Sequence, residues 1–267
     1  MARKTITDRL WQRIKSLLPE RRSPGPKGGR PPIDDRIVLE AIMFMLESGI
    51  PWRLLPRQFG CSRMTCWRRI RVWQKLGVWD ELHGRLLTEL QRRRRIPWSR
   101  FVVDSSSVRA LEGGENTGKN PTDRARRGTK HHVLVDGKGV PIAIRITGAN
   151  RHEVTRLLPL VEAIPPVRGK RGRPRRRPER VQDDRAYDPE PHRRELRQRR
   201  IEPVLAERGA PHGSGLGVFR WVVERTHSWM NRFRRILTRW EKKPENYLAL
   251  LHFVCAIITF RCSGLFG

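Results

Sequence analysis

Asp104 closes the apolar run Phe101-Val102-Val103, and Asp184 opens Asp184-Arg185-Ala186-Tyr187-Asp188. Glu224 sits inside Arg220-Trp221-Val222-Val223-Glu224-Arg225, a segment with helical spacing. A carboxylate in an apolar setting is costly unless a cation neutralises it. A divalent metal is such a cation, and hard oxygen donors favour magnesium or manganese over zinc. Taken singly, each residue has an ordinary reading. Asp104 caps the Ser-rich turn after it, Asp184 is an N-cap or a partner for Arg185, and Glu224 is an i,i+4 partner of Arg220. Taken together, two strand-end aspartates and a helix glutamate can hold two divalent ions about 3.5–4 Å apart, an arrangement suited to phosphodiester chemistry.

The charge background supports that chemistry. The 267 residues carry 57 Lys+Arg against 27 Asp+Glu, a formal net charge of +30. A chain this basic repels itself unless it works on a polyanion, and nucleic acid is the first candidate. A membrane is not expected, because no segment reaches the roughly 18 uninterrupted apolar residues of a span. The longest apolar stretch, Leu248–Phe260, is interrupted by His252. Met1 is not followed by a charged and then apolar leader, so a cytoplasmic location is expected. Cysteines 61, 66, 255 and 262 fit no zinc template and read as small buried apolar residues.

The elements that must position the carboxylates fall into two regions. Residues 1–97 read as helical, with a helix capped by Thr7 and a second from about Asp34 that ends at Gly49. A short helix near Arg53–Phe59, a turn at Gly60-Cys61-Ser62 and a helix from Ser62 to Leu76 form a helix-turn-helix pattern over about 53–76. Trp67, Ile70 and Trp73 face its core, while Arg63, Arg68, Arg69 and Arg71 lie on other faces and are candidate DNA contacts. A bundle helix with a solvated face is the plainer alternative. After Arg92-Arg93-Arg94-Arg95 and Pro97 the texture changes. Residues 98–267 read as strand, hairpin, helix, strand, helix, strand, helix: an α/β mixed sheet. The hairpin turns at Asp136-Gly137-Lys138-Gly139, and the last helix of that series is expected from Val218 to Trp240.

On that helix Arg220, Glu224, His227 and Asn231 share one face, and Val222, Thr226, Trp229, Phe233 and Ile236 line another. His227 reads as a phosphate contact or a plain surface histidine. His131 and His132 alternate across a strand, so at most one faces the site. Ser105–Ser107 have no adjacent base, and a strand-end turn explains them. The run 168–180 is the densest cationic segment, and Gly172-Arg173-Pro174 within it has the form of a minor-groove hook. A disordered charged loop is the more ordinary reading.

The chain resembles bacterial insertion-sequence transposases of the DDE class, in the IS-five family, along nearly its whole length. The similarity is carried by Gly29-Arg30-Pro31-Pro32 and Gly49-Ile50-Pro51-Trp52-Arg53-Leu54-Leu55-Pro56 in the helical region. In the second region it is carried by Val103 to Ala110, Lys130 to Gly137, Asp184 to Asp188 and Arg220 to Arg225. The resemblance implies an RNase H-like core with a triad of Asp104, Asp184 and Glu224 holding two Mg²⁺, or Mn²⁺, ions. It selects Asp184 over Asp183 through the offset of Tyr187-Asp188. The wider signature has a Tyr three positions before the motif Arg and a Lys seven after the Glu; here those places hold Gly217 and Asn231, with Arg232 next. That departure leaves open which cation grips the transposon-end phosphate; Arg220, His227 and Arg232, with Arg173 of the 168–180 run, are the further candidate DNA contacts.

The implied activity is binding of terminal inverted repeats, metal-dependent cleavage at the element's end, and transfer of the freed 3′-OH to target DNA. Joining two ends implies a homodimer or larger synaptic assembly. Two rivals are a transposase-derived DNA-binding regulator without catalysis, and an RNase H-like nuclease without strand transfer.

Overall fold

The structure, a computed structural model, describes residues 6–20, 28, 31–183, 190–205 and 217–264. Helix α1 spans Asp8–Lys15, and the Thr7 side chain accepts from Leu10 N–H as its cap. Helix α2, Asp35–Ser48, starts with the Asp34 carboxylate accepting from Arg36 N–H at 2.7 Å. It ends at Gly49, whose φ of 73° is left-handed. A Cβ there would also meet Arg234 Cβ at 2.7 Å, so the glycine allows a close chain approach. Helix α3, Arg63–Lys75, is capped by Ser62, and α4 spans Val78–Arg92.

The expected helix near Arg53–Phe59 is instead two 3-10 turns, Trp52–Leu54 and Arg57–Phe59. Proline explains the break. Pro56 has no N–H, and the residue before it, Leu55, is pushed to φ −57°, ψ 122°. The helix that packs beside α3 is therefore α2, joined to it through these turns.

The sheet contains β1 (Phe101–Ala110), β2 (Gly118–Lys119), β3 (Arg127–Asp136), β4 (Pro141–Gly148), β5 (Arg180–Asp183), β6 (Glu202–Leu205) and β7 (Thr238–Arg239). Helices α5 (Leu157–Glu162), α6 (Glu190–Gln198), α7 (Gly217–Asn231) and α8 (Pro244–Cys262) complete the chain. Across the sheet the central order is β4-β3-β1-β5-β6. β3 runs antiparallel to β1 and β4, whereas β5 and β6 run parallel to β1. Counting only these five strands in chain order, the sheet reads 3-2-1-4-5 with the second strand reversed. That is the RNase H-like arrangement. β2 pairs antiparallel with the start of β3, and β7 pairs with the far end of β1.

Alternation along β1 and β3 separates two cores, and a register shift of β3 against β4 at Leu134/Val135 accompanies the switch of Ile142 to the opposite core from Ile144 and Ile146. Val102, Val133, Val135, Ile144 and Ile146 pack with α7, α8 and the N-terminal helices. Phe101, Val103, Leu134, Ile142 and Val181 pack with α5, α6, Trp98 and the end of α4. Helix α8 is the hub of the first core. Trp79 of α4 lies 4.5 Å from Phe253 between ring centroids, and His252 Nδ1 lies 2.6 Å from Asp80 Oδ1. The helix is longer than the apolar stretch read from the sequence. By length and composition it is apolar enough to cross a membrane, yet 78% of its apolar window is buried inside the protein. One apolar core thus runs across the helix-to-strand change near Pro97.

Helix α7 stops at Asn231, well short of the expected Trp240. Arg232 N–H and Phe233 N–H bond three residues back, and a 3-10 turn covers Arg234–Ile236. Beyond it Thr238 and Arg239 pair with Arg109 and Ala110. Buried Arg239 donates to the carbonyls of Asn116, Glu241 and Lys242 and to Thr129 Oγ1. The long-range bonds to Asn116 O and Thr129 Oγ1 override the local helical pattern, and no Gly or Pro marks the end. Phe233 and Ile236 are buried, but outside the helix.

Candidate active site

Asp104 is the fourth residue of β1, on the face covered by α7, and its side chain is 19% exposed. His227 of α7 places Nε2 3.6 Å from Asp104 Oδ2, too long for a hydrogen bond. Burial holds the imidazole pKa down to about 4, so at neutral pH His227 is uncharged and the contact is not an ion pair. That ring nitrogen is buried and has no hydrogen-bond partner. Glu224 lies three residues earlier on α7, on the same face by helical spacing, and is exposed. Glu224 therefore shares with His227 the face of α7 that packs beside Asp104.

Glu224 is aimed by its neighbours. Val222, Val223 and Met230 are buried against the sheet. Thr226 Oγ1 donates to Gly139 O at 2.7 Å, and Arg225 Nη2 donates to Lys138 O at 2.6 Å. Both bonds tie α7 to the β3–β4 hairpin turn. That turn is built by the Asp136 carboxylate, which accepts from Lys138 N–H at 2.8 Å and Val140 N–H at 2.9 Å. Burial raises Asp136 to about 6. Gly139 has φ +79°, and a Cβ there would lie 3.0 Å from Thr226 Oγ1. The turn is thus pressed against the helix. Arg225 also lies between the rings of Trp221 and Trp229, at 4.5 and 4.8 Å. Sequence periodicity placed Thr226 on the apolar face and missed its bond to the turn. The buried polar residue within an apolar stripe was the available signal.

β5 runs beside β1 in the register Phe101↔Val181 and Val102↔Gln182, which brings its last residue, buried Asp183, alongside the Val103–Asp104 region. Asp184 lies outside the described residues. Among the described residues no three His, Cys, Asp or Glu gather into a metal-holding group.

His131 faces α7 and α8 but is committed to Tyr247 Oη at 2.7 Å, and Tyr247 in turn donates to Ile236 O. Burial, with His227 nearby, depresses its pKa to about 3. His132 points to the other face and bonds Thr147 Oγ1 at 2.9 Å. Ser105–Ser107 are not in a strand-end turn, because β1 continues to Ala110. Ser105 Oγ donates to Glu153 Oε1 at 2.5 Å, and Lys130 pairs with the same carboxylate at 3.0 Å.

The candidate DNA contacts divide. On α3, Arg63, Arg68 and Arg71 are exposed, with Arg71 stacked 4.5 Å from the Trp67 ring centroid. Trp67 itself is only half-buried. Arg69 lies 3.6 Å from Asp35 and is held toward α2. Arg173 is exposed on the 168–180 segment, and Arg232 is exposed just past the end of α7. The side chain of Arg220 lies outside the described residues.

Two family models match the chain: one described as a transposase of the IS4/5 family over residues 6–83, and one described as Transposase DDE domain over residues 98–212. A protein of Burkholderia cepacia described as a transposase for insertion sequence element IS402 is 54% identical over 159 residues, 60% of this chain and 74% of that relative. The chain belongs to the insertion-sequence DDE transposases. A second IS402 protein of 16.2 kDa, from the same organism, is 47% identical to this transposase over 125 residues, 45% of this chain and 84% of the relative. Among solved structures, the pre-cleavage Mos1 transpososome aligns over 97% of this chain and 86% of that one, at 12% identity and a TM-score of 0.28. The strand order of the sheet, rather than that superposition, defines the fold of this transposase. It is an enzyme that acts on DNA.

Proposed function

We propose that the transposase cuts and joins DNA at Asp104 and Glu224, with Asp184 as the third carboxylate. One observation carries this reading: α7 sets Glu224 and His227 on the face that meets Asp104, on the central strand of an RNase H-like sheet. The donor chemistry fits Mg²⁺ or Mn²⁺, since Asp104 and Glu224 supply hard oxygens and His227, neutral at Nε2, adds no competing positive charge. When bound, such ions polarise a phosphoryl oxygen and provide a stronger oxygen nucleophile at neutral pH. Asp104 and Glu224 would hold them, and the bonds of Thr226 and Arg225 to the hairpin turn keep Glu224 oriented. A pure DNA binder gains nothing from carboxylates close to phosphates. That favours an enzyme over a regulator.

In this reading α3 recognises the terminal inverted repeat through Arg63, Arg68 and Arg71, and two protomers join the two ends in a synaptic assembly. Arg68→Ala combined with Arg71→Ala should weaken binding to the element's end by about 10-fold or more, the loss expected when base or phosphate contacts worth ~1–3 kcal/mol disappear. A nuclease footprint on a duplex carrying the end measures it. An unchanged footprint would remove α3 as the reader. Gel separation of nicked from joined strands distinguishes a transposase from a nuclease without strand transfer.

A further inference from the structure

The 168–180 segment, whose more ordinary reading was a disordered charged loop, is fixed against the protein. Val167 and Arg175 exchange backbone hydrogen bonds at 2.9 Å in each direction, closing the loop at its base. Arg168 N–H reaches Thr88 Oγ1 of α4 at 3.4 Å, Glu179 N–H donates to Trp98 O at 2.8 Å, and Arg177 Nη1 donates to Arg199 O at 3.1 Å. The Arg175 guanidinium lies 5.0 Å from the Trp98 ring centroid. Fixed in this way, the loop and Arg200, just past α6, wall an open groove of about 950 Å³. Its charged lining is Arg168, Arg173, Arg175, Arg176, Arg177 and Arg200 against one carboxylate, Glu179, which lies 3.6 Å from Arg175. All six arginines are exposed.

Guanidinium groups crowded on one wall repel one another, and a bound polyanion relieves that repulsion. We propose that this groove is a second DNA-binding surface, which grips the phosphate backbone of a duplex other than the element's own end. Apart from the arginines and Glu179 the lining is proline. No helix or two-stranded ribbon lines it to carry the arginines into a major groove, so they meet the phosphate backbone, contacts that position a duplex without reading its sequence. Sequence-blind capture suits a target duplex, whereas an inverted repeat needs a reader.

The location agrees. The segment leads into β5 at Arg180, while Asp183 ends that strand roughly 10–13 Å further on at ~3.3 Å per residue. The groove and the carboxylates therefore sit at opposite ends of β5. The identity of the second duplex rests on the transposase reading. The grip itself rests on the charge and fixed shape of the loop.

The test uses the full chain in metal-free buffer, with fluorescence anisotropy on a duplex unrelated to the element across a salt series. Neutralising three contacts with Arg173→Gln, Arg176→Gln and Arg200→Gln should lower the slope of log K against log[salt] by about 2.7, at ~0.9 per phosphate. Arg173→Gln alone, at the exposed part of the loop, should lower it by about 0.9. The corresponding triple Lys variant should keep the slope, and the footprint on the element's end should survive in all three. An unchanged slope in the Gln variants overturns the proposal. So does a Lys variant that fails like the triple Gln variant, or loss of the end footprint in parallel with the unrelated duplex. Because no cleavage is measured, failure here is separate from failure of the Asp104–Glu224 assignment.

Discussion

Glu224→Gln and Asp104→Asn should each lower strand cleavage at the element's end by roughly 10³-fold or more while leaving end binding intact. The size follows from the interaction lost. Stabilising the charge that develops at a phosphoryl centre is worth several kcal/mol, and each 1.36 kcal/mol is tenfold in rate, so a loss on the order of 10³ is a lower estimate. Both substitutions are nearly isosteric, and Glu224 is exposed, so the fold has little reason to respond. Binding should hold or tighten slightly, because a negative charge near phosphate is removed. Parallel loss of binding and cleavage would show that these carboxylates support the structure instead of the chemistry. Thr226 and Arg225 act on Glu224 from behind, through Gly139 O and Lys138 O, and are positioning residues in this account.

Trp79→Ala should destabilise the whole chain by about 3–5 kcal/mol, the usual cost of deleting a fully buried large aromatic side chain. Trp79 is 1% exposed, packs edge-on to Trp73 at 5.6 Å and lies 4.5 Å from Phe253 of α8. Helix α8 also packs on β4 and contacts α7, so the cavity opens in a core shared by the N-terminal helices and the sheet. The loss should therefore appear in one transition, at the same denaturant midpoint by far-ultraviolet dichroism and by tryptophan fluorescence. Two separated transitions, with only one shifted, would mean that the helices and the RNase H-like sheet are energetically independent.

Much of this was legible from residue types. The apolar run ending in Asp104 is a strand because Phe101, Val102 and Val103 fill both faces of a covered sheet, as a run without polar alternation implies. Asp136-Gly137-Lys138-Gly139 is the hairpin turn, and Thr7, Asp34 and Ser62 cap the helices that follow them. What the pattern could not carry was tertiary competition. Nothing local announces that α7 ends at Asn231, because the cause is Arg239 reaching Asn116 O and Thr129 Oγ1, far away in the chain. The 3-10 turns at Trp52–Leu54 and Arg57–Phe59 were readable in principle, since Pro51 and Pro56 frame them. The docking of the arginine-rich loop depends on Trp98 and Thr88, far away in the chain, and composition gave no sign of it. Arg69 was grouped with Arg68 and Arg71 as a candidate DNA contact, and only the packing of α2 revealed Asp35 beside it.

We propose that Asp104 and Glu224 belong to one metal-dependent site. Titration of Mn²⁺ into the protein bound to its element's end, followed by paramagnetic resonance of the free ion, tests it without relying on turnover. Binding should be saturable in the parent protein and lost in both Asp104→Asn and Glu224→Gln, with the DNA complex still formed. Equal Mn²⁺ uptake by the parent and both variants would contradict it.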